Sequence, residues 1–186
     1  MIDVKPGTAV PILAQRVGDR ARTGIVLAAP GAAVGKLSGM AEQEVGPTDN
    51  SLEERLSALV PLAARPVDVR LRAVLSGTMS PYAWRVNGRG WADRAPLVVT
   101  KGQRVVLDII NETPMAHPMH LHGYAFQVVA LNGKVLNGAL RDTIQLPILG
   151  SASVAFDADN PGRWLFHCHN MFHMETGMST ELIYGS

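Results

Sequence analysis

Trp164-Leu165-Phe166-His167-Cys168-His169-Asn170-Met171-Phe172-His173-Met174-Glu175-Thr176-Gly177-Met178 begins in one conformation and ends in another. Its aromatic and apolar opening, entered from the turn residues Asn160-Pro161-Gly162, predicts a β-strand. Strand side chains alternate between faces. A strand continuing through the motif therefore sends His167 and His169 one way and Cys168 the other. His173 lies five residues after Cys168 and Met178 ten after. Those spacings suit a strand end, a short helical turn from roughly Met171 to Glu175, and a chain reversal at Gly177.

A second stretch, His117-Pro118-Met119-His120-Leu121-His122-Gly123, completes the pattern. The chain has six histidines and one cysteine, and all of them fall in these two motifs. Singly, each residue reads as ordinary core, since a lone Cys is usually a small buried hydrophobe and Met a gap-filler. Together they read as a metal site. Structural zinc normally takes more cysteines and has no use for Met178, and a catalytic Cys–His pair would not need the other histidines. A thiolate, two imidazoles and a weak axial thioether describe a blue-copper centre. The candidate set is His117, Cys168, His173 and Met178. His120 and His122, two apart, share a face if their segment is extended.

These residues resemble the two C-terminal copper motifs of multicopper oxidases, the family of laccases, bilirubin oxidases, ascorbate oxidase and bacterial cuprous oxidases. Asp159-Asn160-Pro161-Gly162-Arg163-Trp164, leading into the second motif, adds to the match. The resemblance implies type 1 copper on His117, Cys168, His173 and Met178, a type 2 ligand at His120, and type 3 ligands at His122, His167 and His169. It also implies electrons taken singly from a small reducing substrate (a phenol, an aromatic amine or Cu(I)) near the edge of His173. They would pass through Cys168 to His167 and His169, where a trinuclear cluster reduces O₂ to water. A periplasmic or secreted location follows from the same resemblance.

The departure from the family is as informative. A full trinuclear cluster also needs His-X-His motifs from an N-terminal cupredoxin domain, and no histidine precedes His117. The chain therefore reads as the C-terminal part of a larger oxidase, its partner being the missing N-terminal domain or another chain. The competing reading is a stand-alone type 1 copper electron carrier without oxidase activity. Four further histidines and stray N-terminal strands speak against it.

With 186 residues the chain suits a domain and a half, and 47 % hydrophobic with 18 % charged residues is ordinary for a globular protein. A net charge of +1 gives no footprint for nucleic acid or for a membrane surface. The apolar runs are too short to span a bilayer. Met1-Ile2-Asp3-Val4-Lys5-Pro6 lacks the apolar core of a signal peptide, which in a C-terminal piece says nothing about export.

Outward from the motifs the reading is all-β: a Greek-key cupredoxin sandwich over 66–186, a linker with a helix over 47–65, and the tail of a preceding cupredoxin domain over 1–46. Val67–Leu75, Trp84–Gly88, Arg104–Asn111, Tyr124–Leu131, Arg141–Leu146, Ser151–Phe156, Arg163–His169 and Thr180–Tyr184 read as strands at regular spacing. Asn132-Gly133 signals a tight hairpin into Lys134-Val135-Leu136. Ala9–Val17 and Thr23–Ala29 predict a hairpin, which alone is marginal in water. Ser51–Leu59 predicts the one connector helix, with Ser51 and Glu54 as a capping box and Leu52, Leu56 and Leu59 on one face. Asp142, Glu175 and Glu112 are acids able to orient a ligating imidazole, though as strand-end or surface acids they need no such role. Met115, Met171 and Met174 read as gap-fillers before they read as a soft Cu(I) site.

Overall fold

The structure, a computed structural model, describes residues 3–185; the expected segment ends at residues 1 and 186 lie outside them. The chain divides into two units, residues 1–48 and 49–186. In the first, β1 (Ala9–Gln15) pairs antiparallel with β2 (Arg22–Ala28), Ile12 facing Ile25. The segment after it returns to the hairpin, where Arg22 donates to the Gly39 carbonyl and Ala41 to that of Arg20.

The second unit is a sandwich of two sheets. One runs in the order β10 (Leu140–Arg141), β8 (Phe126–Leu131), β12 (Ser151–Asp157), β6 (Arg104–Asn111), β3 (Val69–Met79), β4 (Tyr82–Val86), with β9 (Lys134–Val135) added beside β8. The other runs β11 (Thr143–Leu146), β7 (His117–Leu121), β13 (Arg163–Cys168), β14 (Ser179–Tyr184), β5 (Leu97–Val99). Non-consecutive neighbours throughout both orders are the crossovers of a Greek-key sandwich. Period-two burial builds the core: Val105, Leu107 and Ile109 on β6, Val154 and Phe156 on β12, and Phe126 and Val128 on β8 face Met119 and Leu121 on β7 and Phe166 on β13. Asn132 and Gly133, both at positive φ, make the tight turn between β8 and β9.

Two pairings are parallel, β3 with β6 and β14 with β5. Strand periodicity carries no direction, so neither is written in the sequence. The short β5 was not anticipated at all.

The expected helix over Ser51–Leu59 does not form. A single 3-10 turn, Glu53–Arg55, stands in its place. Leu52 and Leu59 are exposed, so the apolar face that would have stabilised a helix is not buried. The Ser51 hydroxyl donates to Asp49 rather than capping. Glu54 pairs with Lys134 and Glu53 with Arg141, while the Asn50 amide donates to the Gln145 carbonyl. The segment is tied to the sandwich as an irregular strap. Short helices draw their stability from tertiary packing, and here side-chain ties to the sheet outweigh local propensity.

Gly123, in the turn that follows β7, takes φ +77 against the face of Trp164; a Cβ there would stand 2.3 Å from an indole carbon. Gly123→Ala is expected to lower the unfolding free energy by about 1–3 kcal/mol through the left-handed conformation alone, with more from displacement of the ring. A urea midpoint equal to that of the parent chain would contradict this placement.

Candidate metal centre

Cys168 ends β13 and points into the sandwich, as Phe166 does two residues earlier; both are fully buried. His117 opens β7 on the same inner side. After β13 the chain forms one helical turn, α1 (Met171–Glu175), which carries His173 back toward both. The His117 and His173 Nδ1 atoms stand 3.1 Å apart, and Cys168 Sγ lies 3.7 Å from each. Relative exposures are 0 % for His117 and Cys168 and 1 % for His173. Met178 is also fully buried: its N–H donates to the His173 carbonyl, and its own carbonyl accepts from the Cys168 N–H. Gly177, at φ +120, makes the reversal that brings it there.

Hydrogen bonds select the ring nitrogens. His117 Nε2 meets the Thr113 hydroxyl at 2.7 Å, and that hydroxyl lies 2.8 Å from Asn111 Oδ1. The Asn111 amide in turn donates to the Met115 and Pro147 carbonyls. With Nε2 committed to Thr113, Nδ1 is left to face the thiol. Burial, with the neighbouring His173, pushes the His117 pKa down to about 4, and burial lowers His173 as well. Burial pushes the Cys168 thiol up to about 11, partly offset by the Asn170 backbone N–H. The pocket is thus neutral at pH 7, with two imidazole lone pairs and one soft sulfur converging in an apolar surround. That donor set fits copper.

The opposite face of the same strands carries the other histidines. His120 lies directly across from His167 in the β7–β13 pairing, as Met119 does from Cys168. His120, His122 and His167 each offer a nitrogen within 4.8 Å of the others, and His122 Nε2 meets His167 Nε2 at 3.1 Å. His167 Nδ1 bonds the Cys168 carbonyl at 2.9 Å, and His120 Nδ1 the Asp142 carbonyl at 2.8 Å. The Nε2 atoms of His120 and His167 remain as lone pairs. Burial first, then the neighbouring imidazoles, lowers the His122 pKa; burial is also the leading cause at His167. His169 is exposed and stands beside this group, its ring centroid 5.8 Å from His167 and 5.9 Å from His120.

Some expectations need correcting. His173, expected to face a reductant, is buried under Trp84 and beside Tyr82, with ring centroids 4.2 and 6.2 Å away. Asp142 orients His120 through its backbone carbonyl, not its carboxylate. Met171 is exposed and Met115 is half-buried against the core. Thr113, Asn111 and Trp84 were missed. Thr113 lies four residues before His117, a spacing with no motif of its own, and Trp84 reaches the site only through the fold.

Back-to-back donor sets of Cys, His and Met chemistry on the two faces of the β7–β13 pair define a copper-binding redox domain. The multicopper oxidase profile matches residues 65–186, and the chain belongs to that family. It is 42 % identical over 114 residues to multicopper oxidase MmcO of Mycobacterium tuberculosis, covering 61 % of this chain and 22 % of that protein. It is 39 % identical over 108 residues to copper resistance protein A of Escherichia coli, covering 58 % of this chain and 18 % of that one. The chain therefore spans about a fifth of the length of these relatives. Among solved structures, the multicopper oxidase from Campylobacter jejuni, a metallo-oxidase, aligns over 99 % of this chain and 42 % of its own with a TM-score of 0.65 at 18 % identity, a likeness of fold.

The lowered imidazole pKa values set an acid limit for the metal-free chain. In the unfolded chain histidine takes up its proton near pH 6.5, whereas folded His117 does so only near pH 4. Between these values the unfolded state binds more protons, so stability falls as pH falls. Melting temperature is expected to decline steadily from about pH 6.5 to about pH 4 in chelator-treated protein. A flat profile across that window would contradict the buried neutral imidazoles.

Proposed function

We propose that this chain is the C-terminal copper-binding part of an oxidase that takes electrons from a small reducing substrate and delivers them to O₂, which leaves as water. The observation carrying this reading is the alternation at His167-Cys168: the thiol faces His117 and His173 inside the sandwich, while the next residue back faces His120 and His122 outside. Copper held at both places supplies one-electron redox chemistry.

The residues divide the work. His117, Cys168, His173 and Met178 would hold a type 1 copper, His120 a type 2 copper, and His122, His167 and His169 type 3 coppers. Cys168 gives up its thiol proton to become a ligand, and Thr113 keeps His117 in the tautomer whose Nδ1 is free. The Cys168 backbone and the His167 ring are joined both covalently and through the Nδ1–carbonyl hydrogen bond, a short path from the inner set to the outer. Complete reduction of O₂ to two waters needs four electrons and four protons. The outer set here is half of what the family uses. Its remaining imidazoles would come from an N-terminal cupredoxin domain of the same oxidase or from another chain. Residues 1–46 are read as the tail of such a domain, 47–65 as its connector and 66–186 as the C-terminal cupredoxin domain. Phenols, aromatic amines and Cu(I) are the substrate classes proposed, and the periplasm or cell exterior the location. Among the described residues no helix is long and apolar enough to cross a membrane. The stand-alone carrier reading is weaker, because a carrier has no use for the outer imidazoles.

Copper titration with visible absorption tests the reading. The chain is expected to bind type 1 copper with an intense thiolate band and to consume no O₂ with a phenolic donor by itself. Cys168→Ser should abolish the band; a Ser variant that stays blue would sink the assignment. Met178→Leu should keep the band and raise the redox potential, the axial ligand being one of the levers on that potential.

A further inference from the structure

The two inner imidazoles are held unequally. His117 is fixed by the Thr113 hydroxyl at 2.7 Å and by its place in β7. Outside the donor set itself, His173 has the Asn170 side-chain amide, 3.5 Å from Nε2, and it stands on a helix of five residues with no side-chain N-cap. What covers its ring is Trp84. The indole lies over the His173 imidazole at a centroid distance of 4.2 Å and an interplanar angle of 34°, and it meets His117 edge-on at 5.1 Å and 69°.

Trp84 is itself held from several directions. It is 2 % exposed, at the centre of β4. Its N–H donates to the Thr176 carbonyl at 3.2 Å, tying β4 to the end of α1. Gly177 packs so closely on the Trp84 carbonyl that a Cβ there would stand 2.4 Å from the oxygen. Across the β3–β4 pairing, Gly77 leaves room for the indole: a Cβ would lie 2.3 Å from its Cε3. Tyr82 meets the indole edge-on at 5.9 Å and lies 6.2 Å from the His173 ring. The buried indole Nε1 makes no hydrogen bond among the described residues, so the ring acts through its face and not as a donor.

We propose that Trp84 is the positioning residue for His173, an aromatic plate that sets the imidazole plane against Cys168 and does for this ligand what the Thr113 hydrogen bond does for His117. The inference rests on the copper reading above and adds to it where one ligand gets its orientation. Removing the plate leaves His173 on a short helix whose one polar contact outside the donor set is the long one to Asn170, and its Nδ1 no longer points at a fixed place.

The test uses the full chain with Trp84→Leu, Trp84→Phe and Gly77→Ala, each checked for folding by circular dichroism. Cu(II) is titrated into each and followed by the thiolate band and by electron paramagnetic resonance. Trp84→Leu is expected to bind about 10- to 100-fold more weakly, the range for loss of a ligand's orienting partner, with a shifted copper hyperfine splitting. Trp84→Phe should restore the parent spectrum and most of the affinity, because it keeps an aromatic face. Gly77→Ala, whose Cβ would press on the indole and on the Ala83 carbonyl 2.7 Å away, displaces the ring without removing it and should shift the splitting in a folded chain. A folded Leu variant with parent affinity and spectrum would overturn the assignment. Should the Leu variant not fold, an unchanged splitting in Gly77→Ala would do so. A parent chain that gives no thiolate band would overturn the copper reading itself, and this inference with it. That result is distinct from normal spectra in every variant, which overturn only the role of Trp84.

Discussion

One register governs this molecule: Met119 opposite Cys168 and His120 opposite His167 in the β7–β13 pair. Side chains alternate with period two, so a slip of one residue would send every side chain of a strand to the other face. A slip of β13 would put the thiol on the outer surface and an imidazole in the core. The register is held by the apolar residues around it. Phe166, Met119 and Leu121 are fully buried on the inner face, and none could be turned out to the other face without losing that burial. The hydrophobic core thus specifies the metal geometry, and the donors need not be their own scaffold. The same alternation keeps the two donor sets apart in space while adjacent in sequence.

Burial then gives the inner set its chemistry. A thiol and two imidazoles enclosed by Trp84, Met119 and Phe166 lose their solvation, and each settles in its neutral form. Neutral donors cost less to bury than charged ones. The apo pocket can therefore exist as part of an ordinary core, with no buried ion to compensate. The balance changes when a cation enters, because its charge favours the thiolate that burial alone disfavours. Hydrogen bonds placed before binding limit the choices left. Thr113 takes one nitrogen of His117, and the Cys168 carbonyl takes one of His167, so each ring presents a defined lone pair to its own side.

The sandwich, its Asn132-Gly133 hairpin and the two-faced strand were legible in the sequence because each rests on local chemistry: alternation, turn residues, donor type. Partners distant in sequence were not legible. Trp84 and His173 lie on separate elements and meet only through the sheet order. The parallel β3–β6 and β14–β5 pairs likewise follow from crossovers that no periodicity encodes. Residues 51–59 show the opposite error. Their capping box and leucine spacing are real local signals, but Leu52 and Leu59 have nothing to pack against, and a helix that short does not persist on propensity. The spacing of His173 from Cys168 suggested a short helical turn between them, which forms, but nothing near His173 in sequence announces the indole that covers it.

That covering decides what surrounds the inner set. His173 is buried under Trp84, while Tyr82 on β4 and Met171 and Phe172 on α1 are exposed. These three exposed side chains are aromatic or apolar. Such a surface discriminates by shape and desolvation far more than by electrostatic steering, which requires clustered like charge to raise encounter rates. The two ends of the site then differ in kind. The inner set is enclosed by this domain's own core, while on the other face His167 is buried, His120 half-buried, and His122 and His169 exposed.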